Sequence, residues 1–173
     1  MPNRKIPLIS VFGCGNVLLG DDGFGPAVIA ELEEKYIFPR NVTLEDVGTG
    51  IREYLFDYLL APDLAPDLLV ILDAVDFKER RPGEVFTITP DSIPAKKIHD
   101  FSLHQFPTVN LLQELAEYTG TTVHIVAART EYIPDEIQPG LTPAMRRAVG
   151  EAAEQVRTII IETFQENSEV TVP

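Results

Sequence analysis

Two adjacent carboxylates in a glycine-rich loop are the first residues of this chain able to do chemistry: Asp21 and Asp22, in VFGCGNVLLGDDGFG at residues 11–25. Two more, Asp73 and Asp76, close the most apolar run, LLVILDAVDF (68–77), and His99 and His104 sit in HDFSLHQ (99–105). Two carboxylates and an imidazole, Asp22, Asp73 and His104, suit a borderline divalent ion such as nickel or zinc, and three protein ligands leave a coordination position open. His99 is a second choice for the imidazole. Each residue also has a plain structural reading: Asp22 as a helix cap, Asp73 as a hydrogen-bonding orderer of its loop, His104 as a first-turn residue. Three separated residues form no spacing motif of the H-E-x-x-H kind, so both readings stand open on the residues alone.

Other chemistries fit less well. Gly13-Cys14-Gly15 follows a strand-like run, and Glu45 or Asp46 could take a ribose, as in dinucleotide binding. The third glycine of G-x-G-x-x-G falls on Leu18, however, and the next helix starts only after Asp21 and Asp22. A pyrophosphate there would face carboxylates, and like charges at ~4 Å in a partly buried site repel by roughly 4 kcal/mol, more than a helix N-terminus returns. The glycines instead let the chain fold tightly and carry the acidic pair over a sheet. Neither a G-x-S-x-G elbow nor a Walker A loop is present. Cys14 reads as a small packed residue rather than a nucleophile, His124 as a residue of an apolar strand, and KERR (78–81) as a solvated loop beside the crevice.

These residues need a frame. Residues 6–12, 42–47, 68–77 and 121–130 read as strands, and 81–90 as a turn and a short alternating strand; 25–36, 51–60, 104–120 and 142–164 read as helices. Pro26 and Pro143 suit first helical turns, Thr142 an N-cap, and Gly120 a helix stop. Strands alternating with helices predict a three-layer α/β/α domain: a twisted, mostly parallel sheet of about five strands with helices on both faces. The short strand after residue 81 follows the third so closely that it is expected to run antiparallel to it. Residues 1–165 are expected to form a single domain, and 166–173 a polar, frayed tail. In such sheets ligands gather outside the carboxyl ends of the strands, so the loops after strands are where Asp22, Asp73 and the second glycine loop, Gly48-Thr49-Gly50, should meet.

Composition bounds the partners. The 173 residues carry 14 Lys+Arg against 27 Asp+Glu, a net charge of −13, which argues against nucleic acid or anionic lipid as the main partner. A single cysteine excludes an internal disulfide and suits a reducing cytoplasm. No stretch approaches the ~20 apolar residues of a membrane span. The expectation is a cytoplasmic, soluble protein, a monomer or weak oligomer.

The pattern GCGNVLLGDDGFG, then DVGTG (46–50), LVILDAV (69–75) and HQ (104–105) before a helix, resembles the nickel–iron hydrogenase maturation endopeptidases over nearly the whole chain. The first motif is specific; the others inform by order and position. The resemblance implies a protease that trims the C-terminal extension from a hydrogenase large-subunit precursor. It puts the family's metal-binding residues on Asp22, Asp73 and His104, with Gly15, Asn16, Gly48, Thr49 and Gly50 as loops facing the substrate. Nickel would arrive inside the substrate rather than as a permanent cofactor, fix the register and polarise the scissile carbonyl, with water as nucleophile. Asp22 or Asp73 acting as the base on that water is the other route. Most members carry glutamate where this chain has Asp22; the Asp-Asp form is similar to the branch serving the coenzyme F-420-reducing hydrogenase. Val47 replaces a glycine of the family's D-G-G-T loop and should stiffen it. The alternative from another class is a non-catalytic, nickel-dependent assembly chaperone of the same large subunit.

Overall fold

The run Leu68–Val75 is buried at every position, as its unbroken apolar character requires, and forms the central strand β3. A computed structural model describes residues 6–93 and 108–169. Its other strands are β1 (Ile9–Cys14), β2 (Val42–Gly48), β4 (Val85–Ile88) and β5 (Thr122–Arg129), and its helices α1 (Phe24–Lys35), α2 (Ile51–Leu60), α3 (Thr108–Thr119) and α4 (Pro143–Glu169). The sheet order is β2-β1-β3-β5-β4. β1 pairs in parallel with both β2 and β3, and β3 with β5.

Alternation along the central strands feeds two cores. Ile9, Val11, Val70 and Leu72 pack with α1 and α4 on one face. Phe12, Cys14, Leu69 and Ile71 pack with α2 and α3 on the other. The sheet is thus wound on both sides, in the expected three layers.

One pairing differs from expectation. β4 is antiparallel, but to β5, with Phe86 opposite Ala127, and not to β3. Both edges of β3 are already taken: β1 lies on one side, and β5 runs beside it from Leu68↔Thr122 to Val75↔Arg129. The short strand is left the outer edge of β5.

Helix boundaries follow local chemistry. Thr142 caps α4: its carbonyl accepts from Arg146 N at 2.9 Å and its hydroxyl from Met145 N at 3.4 Å. Gly120, at φ +75°, ends α3 and donates its N–H to the Ala116 carbonyl at 3.0 Å. α4 continues through Glu169, across the boundary expected at residue 165. Among the described residues, no helix is long and apolar enough to cross a membrane.

The chain leaves β1 toward β2 on one side, and β3 lies on the other. Strand order therefore reverses between β1 and β3, and a crevice opens outside their carboxyl ends. Asp73 and the loop holding Asp22 both lie at that reversal.

Candidate active site at the sheet switch point

Loop one is shaped by close packing. Gly25, in the first turn of α1, lies so near the strand ends that a Cβ there would come within 2.3 Å of the Cys14 carbonyl oxygen and 2.6 Å of that of Leu72. Only glycine lets the helix sit down on β1 and β3 this closely. Gly15 adopts φ +128°, and a Cβ on it would meet the Asp22 carbonyl oxygen at 1.8 Å. These glycines fold the loop back onto the sheet, as expected.

Between loop and helix, Gly20–Gly23 forms a 3-10 turn with every residue buried, packed against β3. Its two aspartates are both 0% exposed but have different surroundings. Asp21 turns toward the loop after β5: Oδ2 accepts from Glu131 N at 2.8 Å and Tyr132 N at 2.9 Å, and Oδ1 from Thr142 N at 2.7 Å. Asp22 turns back over the loop, its Oδ2 accepting from Asn16 N at 2.8 Å. The sequence showed an acidic pair; it gave no sign that Asp21 would anchor a loop more than a hundred positions away.

Asp73 is fully buried near the end of β3. Alternation places it on the same sheet face as Cys14, the last residue of β1. The thiol records the local field. Burial pushes the Cys14 thiol well above its ordinary value, and Asp73, Asp46 and Asp22 push it further the same way. Carboxylates from the first loop, β2 and β3 therefore all act on this thiol, Asp46 from an exposed position. That field keeps Cys14 protonated and removes it as a nucleophile.

The second loop borders this point. β2 bulges at its end, where Gly13 faces Asp46 but Cys14 faces Gly48, and Val47 between them turns into the core. Asp46 Oδ1 accepts from Gly48 N at 2.9 Å, the Gly48 carbonyl accepts from Gly15 N at 2.9 Å, and Gly50 N closes a turn on the Val47 carbonyl at 2.9 Å. Gly48 takes φ +52°. Thr49 is exposed at the tip. The two glycine loops are thus hydrogen-bonded to each other, with Asn16 and Thr49 at their outer rims.

Of the expected ligands, Asp22 and Asp73 are both fully buried and both raise the Cys14 thiol. His104 and His99 lie outside the described residues. Among the described residues, no group of three His, Cys, Asp or Glu side chains could hold a metal ion by itself. Asp76 points elsewhere, half exposed, with Arg129 Nη2 at 3.7 Å from its Oδ1. His124 is remote from the crevice, on the α4 side of β5, where a cavity of about 480 Å³ also holds Glu151, Glu154, Glu162 and Glu166. Burial lowers its imidazole from the usual value, against the opposing pull of Glu162 and Glu166. In KERR, Arg80 stacks on the Phe86 ring at 3.7 Å and bonds Glu84 at 2.7 Å, so this cation packs instead of reaching outward.

Carboxylates placed at one corner of the sheet suit a cation better than an anionic ligand. A pair of carboxylates that leaves further positions to other donors can bind an ion that is already partly coordinated elsewhere.

Known proteins resemble the chain over most of its length. Residues 26–159 match the family model described as hydrogenase maturation protease. The chain is 32% identical to the hydrogenase 2 maturation protease of Escherichia coli, covering 90% of this chain and 92% of that one. It is 32% identical to the coenzyme F420 hydrogenase subunit delta of Methanothermobacter thermautotrophicus, over 86% of this chain and 91% of the relative. The solved hydrogenase maturating endopeptidase HybD of E. coli superposes with a TM-score of 0.67 at 30% identity, covering 90% of this chain and 93% of that one.

Proposed function

The chain belongs to the hydrogenase maturation protease family, whose members are endopeptidases, and on that premise we propose that it removes the C-terminal extension of a nickel-loaded hydrogenase large-subunit precursor. Asp22, Asp73 and His104 recognise the nickel that the precursor carries. The observation that supports this reading is that two fully buried carboxylates, Asp22 in the turn after β1 and Asp73 on β3, both lie at the sheet switch point and both act on the Cys14 thiol. Carboxylate oxygens suit a borderline divalent ion that already has other ligands, as a substrate-borne nickel would.

Nickel is part of the substrate in this account. When bound it supplies a Lewis acid and a fixed reference point. Asp22 and Asp73 hold the precursor in register, and the linked loops at Gly15–Asn16 and Gly48–Gly50 face the segment to be cut. Hydrolysis adds a water across the scissile amide, leaving a carboxylate on the mature subunit and an amine on the released peptide.

The substrate we favour is the large subunit of the coenzyme F-420-reducing hydrogenase. The relative named coenzyme F420 hydrogenase subunit delta supports it, as does aspartate at position 22. Mass measurement after mixing purified protein with nickel-loaded precursor tests the activity: a lost C-terminal peptide is expected, whereas an intact complex indicates a chaperone. Nickel-free precursor should remain whole. Running the assay with precursors of two different hydrogenases tests the branch.

A further inference from the structure

Two loops beside the site present apolar side chains to solvent. Val17 is 52% exposed and Leu18 44% in the first loop; Tyr132 is 53% and Ile137 74% exposed in the loop between β5 and α4, where Ile133 is also exposed. Single exposed apolar residues are ordinary, but a contiguous group on a chain of net charge −13 marks a contact surface.

The group is contiguous because the loops are tied together. Gln138 N donates to the Leu18 carbonyl at 2.9 Å, Gly20 N to the Gln138 carbonyl at 2.9 Å, and Asp21 N to the Tyr132 carbonyl at 3.3 Å. The Asp21 carboxylate fixes the start and end of the second loop. Leu18 N donates to Asn16 Oδ1 at 3.0 Å, so the first tip is held outward by its own turn. Asn16 N is in turn bonded to Asp22. The apolar tips are therefore mechanically continuous with the proposed nickel grip.

The charge on the two loops themselves is negative, with Arg129 and Arg146 just outside them in sequence. Glu131, Asp135 and Glu136 are exposed in the second loop, and neither 11–34 nor 131–145 contains a lysine or arginine. A groove of about 370 Å³, lined by Val17, Gly20, Pro26, Ala27, Asp46 and Leu141 among others, runs along the base of the first loop.

We propose that these two loops form a docking platform for the folded body of the precursor, through an apolar patch on that body ringed by lysine or arginine. The inference rests on the proposed function and deepens it: the nickel grip fixes the cut, and the platform carries affinity for the whole subunit. Continuity with the site and charge complementarity select this occupant over a second copy of the chain, whose equally acidic rim would repel.

Steady-state processing of nickel-loaded precursor tests it, comparing wild type with Leu18→Asp, Ile137→Asp and the distant control Ile37→Asp. Ile37 is fully exposed beyond the end of α1. The expected result is a KM raised at least tenfold in the first two variants, with kcat retained and the control unchanged. Asp135→Lys/Glu136→Lys should raise KM as well without touching an apolar contact, and covers the case in which an apolar-to-charged variant folds poorly. Unchanged KM in all variants while wild type cuts overturns the platform and leaves the proposed function standing. Loss of self-association with unchanged KM assigns the patch to a second copy and also overturns it. Failure of wild type to cut nickel-loaded precursor defeats the proposed function, and the platform with it.

Discussion

Asp21 Oδ1 accepts a hydrogen bond from the Thr142 backbone N–H at 2.7 Å, and its Oδ2 accepts from the Thr142 hydroxyl at 3.1 Å. With the Glu131 and Tyr132 amides, one buried carboxylate closes the loop between β5 and α4 onto the turn that carries Asp22. Neighbouring aspartates thus divide the labour: the first ties down the loop after β5, and the second bonds the first loop at Asn16 N.

Asp21→Asn should be destabilising, because an amide places N–H donors against backbone N–H donors. Hydrogen bonds to a buried charge contribute about 1.5–3 kcal/mol each, so a loss of about 3 kcal/mol is expected in urea unfolding. Stability within 0.5 kcal/mol of wild type, a typical surface effect of about that size, would remove the anchoring role.

Gly25→Ala forces a methyl to 2.3 Å from the Cys14 carbonyl oxygen. Overpacking of this kind costs about 1–3 kcal/mol and pushes α1 off the strand ends. The variant should unfold at lower urea concentration and process precursor more slowly. A wild-type denaturation midpoint would show that the helix has room to shift.

Cys14 should resist alkylation in the folded protein at pH 8 and react once unfolded, since burial and three carboxylates raise its thiol. Cys14→Ala should retain processing. Rapid native alkylation, or loss of activity in a folded alanine variant, would contradict the packed-thiol role.

His124 should titrate below 6.5 by NMR, because burial lowers it. Its folded value lies below its unfolded one, so its contribution to stability is fully present above about 6.5 and is lost as pH falls through the folded value. Glu162→Gln removes a charge that raises the imidazole and should move the midpoint lower still. A midpoint at or above 6.5 in wild type would refute this.

The sequence made the frame legible wherever one local force dominated. The unbroken apolar run at 68–75 could only be a strand buried on both faces, and Thr142-Pro143 could only open a helix cleanly. The partner of β4 was hidden because pairing depends on which edge is vacant, and β5, which takes the edge of β3, comes later in the chain. Asp22 was legible as a carboxylate of the first glycine loop and Asp73 as one near the end of β3. The duty of Asp21 was not, because its four donors come from residues whose proximity only the tertiary fold creates.

The central claim is that Asp22 and Asp73 grip the precursor's nickel, and replacing charge while keeping shape tests it most directly. Purified Asp73→Asn, with its fold verified by circular dichroism, is mixed with nickel-loaded precursor and the released peptide is followed by mass. Processing should slow by at least about 10²-fold, the usual scale for removing a positioned catalytic carboxylate. A rate equal to wild type would contradict the account.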